Sequence, residues 1–220
     1  MTNLATTALS TGGFKSLLRQ LAGRAPRLAV ICGVLLLAVP TGFVAVSQGI
    51  GAIALPYNLF VVDQQLPGIF KLHMLASGAS LLLIPVVIAL RRNSRWHRPL
   101  GYAAAICVLL GALTSLPVAI YSHSVLAARL GFLAQGIVWL ALIALGIRAI
   151  RRRRFADHAR LMLMMAAVAS GALWVRLTTT VVTGYDLPFD PVYGTAAWLG
   201  WLVPLALVTF LPTPWAPQRR

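Results

Sequence analysis

The chain has 220 residues, 59 % of them apolar and 10 % charged, with a formal net charge of +15 and a mean hydropathy of +0.83. Ordinary soluble domains carry about 25 % charged residues, and a chain this apolar leaves too much surface outside a single soluble core. These values exclude a soluble globular domain and call for lipid as the solvent.

Residues 1–26 read as a polar segment on one side of the membrane. Within it, FKSLLRQLA at 14–22 has the pattern of a short amphipathic helix lying on the membrane surface. Windows of about 20 apolar residues, enough to cross ~30 Å of hydrocarbon, then predict six spans. They fall at 27–52, 67–90, 99–121, 126–150, 160–182 and 193–211. The stretches are continuously apolar, without the period-two alternation of barrel strands, so helices are implied. The fold class is therefore all-α: a six-helix transmembrane domain over 27–212, followed by a proline-broken tail at 213–220. The first apolar run is much longer than the core of a secretory leader, and is read as a retained anchor.

The basic residues orient the spans. Sixteen of the 19 lie on one side: Lys15, Arg19, Arg24 and Arg27 before the first span, Arg91, Arg92, Arg95 and Arg98 between the second and third, Arg148, Arg151 to Arg154 and Arg160 around the fourth-to-fifth connection, and Arg219 and Arg220 at the end. Lys71, Arg129 and Arg176 fall on the other side, with Asp63, Asp186 and Asp190. Positive-inside logic places both termini in the cytoplasm. The charge is thus a topology signal that also attracts anionic lipid headgroups. It is no nucleic-acid stripe, because no soluble face interleaves basic and aromatic residues.

Glutamate is absent, and neither GxSxG, HExxH nor a nucleotide-binding glycine loop occurs. Cys32 and Cys107 lie inside spans, with no ligand cluster around them. The chemistry left is in four histidines and a few arginines. Ionisable groups inside a membrane face the bundle interior or a cavity by default. His73 and Arg176 belong near the outer side, with Arg129, and His123 falls in an outer loop. Arg176 is expected to meet Asp63, Asp186, Asp190 or an anionic ligand, or else to snorkel to headgroups; His73 reads equally as an imidazole bonded to a neighbouring helix.

His97 and His158 mark the inner ends of the third and fifth spans, which run parallel. Spacing leaves two readings. Both are interface residues among headgroup-binding arginines, or both are axial ligands of one haem iron. For the second, Gly101 lies four residues after His97 on the same face, and Arg98 and Arg160 are cations for haem propionates. Asp157, beside His158, reads as the N-cap of the fifth helix, or as a partner for part of the arginine cluster RRRRFADHAR at 151–160.

The run KLHMLASG, WHRPLGY, FADHARLMLM and LWVRL, spanning about 71–180, resembles the bacterial membrane family called domain of unknown function 2306. The residues that carry the likeness are His73, His97-Arg98 with Gly101, Trp139, His158 with Met162, and Arg176. Met164 departs from it, since an arginine is expected there. The resemblance implies a bacterial inner-membrane protein but no activity. More distantly the layout is similar to six-helix, two-haem cytochromes of the b-561 kind, which pair histidines of the third and fifth helices, as His97 and His158 would, and of the second and fourth. The fourth span here, 126–150, has no histidine and only Arg129 and Gln135 as polar candidates.

Three classes of function follow: a protein that binds one haem b near the cytoplasmic face and carries electrons or serves a quinol-linked reaction, a cofactor-free accessory or assembly subunit, and a small-molecule transporter. The last lacks an inverted repeat or a pair of matched broken helices. Partners on these readings are lipid, a quinone or redox protein, and a second copy or a larger membrane complex.

Overall fold

The computed structural model describes residues 32–185 and 187–210. The amphipathic segment expected at 14–22, the tail at 213–220 and Asp186 lie outside the described residues. The chain divides into two units, 1–37 and 38–220; the packing that follows is that of the second.

The described residues are helical, without strands. The helices are α1 (Cys32–Gly49), α2 (Tyr57–Gln65), α3 (Ile69–Ala89), α4 (Ser94–Tyr121), α5 (Leu126–Arg151), α6 (Phe155–Ala169), α7 (Gly171–Gly184) and α8 (Phe189–Phe210). Counting α6 and α7 as one span, Phe155–Gly184, six are long and apolar enough to cross a membrane. The protein is a multi-pass, six-span membrane protein. Large apolar side chains point outward all round it, among them Phe43, Ile106, Ile137 and Leu199, as expected where lipid is the solvent.

Two ends differ from the sequence reading. The third span starts at Ser94 and the fifth at Phe155, about a turn or more ahead of the positions hydropathy chose, because their first turns are polar. His97 and His158 therefore lie within the first turns of α4 and α6. Asp157 is not the N-cap of α6: Arg154 holds that position, and the Asp157 carboxylate pairs with the Arg154 Nε at 2.6 Å. The short helix α2 was not expected; its apolar face, with Val62, packs on Leu66, Phe70 and Met74.

In lipid there is no hydrophobic drive between helices, so contact depends on small residues that let backbones close up. α1 and α3 meet at Gly42 and Gly78, where a Cβ on Gly78 would lie 2.8 Å from the Gly42 carbonyl oxygen. α5 and α8 meet at Gly131, where an added Cβ would lie 2.9 Å from the Ala197 oxygen, and the Trp198 indole donates to the Ala127 carbonyl at 2.9 Å. Other small residues sit at the same kind of contact: Gly194 of α8 lies against Ala127 of α5, and Gly171 of α7 lies against Gln135 of α5 and Trp201 of α8. The core gathers Val108 and Ala112 of α4, Trp139 and Ile143 of α5, Val168 of α6 and Trp201 of α8.

Candidate functional site

Three histidines inside the spans are held the same way. His73 of α3 donates its Nδ1–H to the Gly111 carbonyl of α4 at 3.0 Å, with the Ser77 and Thr114 hydroxyls 3.4 and 3.3 Å from the same nitrogen. His97 of α4 donates Nδ1–H back to the Val87 carbonyl of α3 at 3.1 Å. His158 of α6 donates Nδ1–H to the Gly146 carbonyl of α5 at 3.0 Å. A carbonyl oxygen can only accept, so each Nδ1 carries the hydrogen, and in the neutral ring Nε2 keeps a lone pair.

The local sequence explains the geometry at His158. Gly146 leaves a notch on α5, and Met162, one turn after His158, fills the place that a Gly146 Cβ would take. The backbone of α5 thus comes within reach of the imidazole. At His97 the neighbouring Gly101 has nothing of the protein within 4 Å of where its Cβ would be. That leaves room for a flat group on this face, without a wall to hold it. Arg98 and Arg160 are exposed.

An axial haem ligand needs its Nδ1–H engaged so that Nε2 can bind iron, and both inner histidines meet that condition. They meet it on different neighbours, His97 on α3 and His158 on α5, and among the described contacts none joins the two. Groups of three or more side chains able to hold a metal ion do not occur among the described residues.

The outer residues are not gathered into a site. His73 faces α4. Arg129 closes the C-terminal end of α4: its Nη2 donates to the Ile120 carbonyl and its Nε to the Ala119 carbonyl at 3.4 Å. A cation there complements the free carbonyls and negative dipole end of the helix. Arg176 lies exposed on α7 without an ion pair among the described residues, and Asp63, one expected partner, is buried against Lys71 at 3.5 Å. His123 takes a hydrogen bond from Gln65 at 2.6 Å.

One residue carries more than its sequence context suggested. Gln135 of α5 donates to the Val168 carbonyl at 2.9 Å, just where α6 ends and α7 begins. A Cβ on Gly171 would lie 2.6 Å from the Gln135 amide nitrogen. The Ser170-Gly171 pair was the available signal, since such pairs mark helix breaks.

Residues 70–212 match the family described as predicted membrane protein DUF2306. The chain belongs to that family. No curated protein and no solved structure matches it, and the likeness to b-561-type cytochromes finds no support among these comparisons. In this DUF2306 protein, His73, His97 and His158 tie helix to helix, Met162 fills the notch at Gly146 and Trp139 is core. Gly101 has open space at its Cβ position, and Arg98 and Arg176 are exposed.

Proposed function

We propose that this DUF2306 protein is a membrane-embedded redox subunit in which His97 and His158 would hold one haem b at the arginine-rich end. The observation that supports the reading is that each ring makes the same kind of hydrogen bond: separate carbonyls, Val87 of α3 for His97 and Gly146 of α5 for His158, hold the rings in the tautomer whose Nε2 can bind iron. The group, when bound, supplies one-electron chemistry at iron. The chain would supply the ligand nitrogens and their ring orientation, and Arg98, beside His97, would be the cation for a propionate. The exchange partner on this reading is a quinol or a membrane redox protein. In a bacterial inner membrane, the location this reading takes, the charge bias supports both termini and the haem end facing the cytoplasm.

A second reading is a cofactor-free accessory subunit. It is favoured by the fact that the same bonds already serve as helix–helix ties, each to a different neighbour. The absorption spectrum of protein purified in detergent from haem-replete cells separates the two. A Soret band present in wild type and His73→Ala, and lost in His97→Ala and in His158→Ala, supports haem ligation. A colourless wild-type protein, with the helices intact by circular dichroism, leaves the accessory subunit.

A further inference from the structure

We propose that the cavity between the last turns of α5 and the first turns of α6 binds the phosphodiester headgroup of an anionic phospholipid. The inference does not depend on a haem. The cavity has a volume of about 380 Å³. Its polar wall is built from Arg148 and Arg152 of α5 and its C-terminal turn, one helical turn apart, and from Arg160 of α6; its apolar wall is built from Leu145, Leu161 and Met164. The stripes 145, 148, 152 and 157, 160, 161, 164 each follow helical spacing, so the two helices present their cationic and apolar residues to one space.

The charge is unbalanced. Asp157, the only acid lining the cavity, is taken by Arg154 at 2.6 Å. Among the described residues Arg148, Arg152 and Arg160 make no ion pair. Three guanidiniums converging on one cavity repel one another unless an anion sits between them, and guanidinium recognises phosphate with paired hydrogen bonds. The turn that brings them together carries strain. Arg153 has φ 58, and the Arg154 amide donates to the Ala149 carbonyl while the Arg153 amide donates to the Ile150 carbonyl. This is the helix-ending motif in which glycine usually takes the left-handed position.

The apolar wall decides between sources of phosphate. A free phosphate ion gains nothing from Leu145, Leu161 and Met164, whereas a lipid places its glycerol and upper acyl chain against them with its headgroup at the arginines. Basic pockets between helices at a membrane surface hold anionic headgroups in this way.

The test uses the full chain in nanodiscs of equal parts phosphatidylcholine and phosphatidylglycerol, extracted gently and analysed for retained lipid by native mass spectrometry. Wild type should retain phosphatidylglycerol in preference to phosphatidylcholine. The variant Arg148→Gln/Arg152→Gln/Arg160→Gln should bind it on the order of a hundredfold more weakly. A charge-matched control, Arg92→Gln/Arg95→Gln/Arg151→Gln, should keep it. Equal loss in both variants, equal retention in both, or no preference between the lipids would overturn the proposal. Should the triple variant fail to fold, Asp157→Asn replaces it: releasing Arg154 should raise retention, and a fall would overturn the assignment. The second probe is inorganic phosphate added to delipidated protein. Phosphate binding that the triple variant abolishes, without any phosphatidylglycerol preference in wild type, would overturn the lipid in favour of a soluble phosphate.

Discussion

At the scale of single residues, a few small side chains decide whether polar groups can meet. Gly146 is the clearest case, because the His158 bond and the Met162 packing both occupy the notch it leaves. Gly146→Val should destabilise the protein by about 1–3 kcal/mol, the range for overpacking, and Met162→Ala in the same chain should recover part of that. Thermal unfolding in detergent checks both. Arg153 gives the opposite sign. A non-glycine residue in the left-handed region costs roughly 1–2 kcal/mol, so Arg153→Gly should raise the melting temperature; an unchanged or lower value would contradict the strained turn. The motif of His158 with Met162 was visible in the sequence. Its partner Gly146 was not, because nothing in an isolated glycine tells which helix will pack against it.

At the scale of elements, the spans were legible because apolar runs of membrane length have few alternatives in lipid. The breaks and short pieces were not. α2 escaped because a nine-residue helix has too little apolar periodicity to stand out. The division between α6 and α7 escaped because hydropathy is continuous through Ser170. There the backbone departs from regular helix, and Gln135 supplies a donor to the Val168 carbonyl. Gln135→Leu should cost about 0.6 kcal/mol, the mean for interhelical hydrogen bonds in a membrane bundle, and no more than about 1.7. Gly171→Ala should cost more than that, since its Cβ would lie 2.6 Å from the Gln135 amide. Adding Gln135→Ala to Gly171→Ala should recover part of that loss, with the Trp201 Cβ at 3.0 Å still crowding the site; if nothing is recovered, the close approach of Gln135 is not what makes position 171 small.

At the scale of the whole molecule, charge sorts the two ends. Four of the five arginines within residues 151–160, Arg151 to Arg154, follow each other in the chain, so a sequence shows them at once. That Arg148, Arg152 and Arg160 share one cavity depends on how α5 and α6 pack. The positive-inside reading predicts that a cysteine placed after Arg220 stays unlabelled by a membrane-impermeant maleimide in intact cells; labelling would reverse the orientation. The pairing of His97 with His158 was inferred from their equal depth, and depth does not fix the direction a side chain takes. The structure gives each ring its own carbonyl, on α3 and on α5, and from this comes the tautomer on which the redox proposal stands. Solid-state nitrogen NMR of histidine-labelled protein in bilayers at neutral pH, with resonances assigned by single-histidine variants, measures that tautomer directly. Nδ1–H with an unprotonated Nε2 at both His97 and His158 is the predicted result. Nε2–H at either residue would contradict it, since that nitrogen could neither leave Nδ1 donating to its carbonyl nor take iron as a ligand.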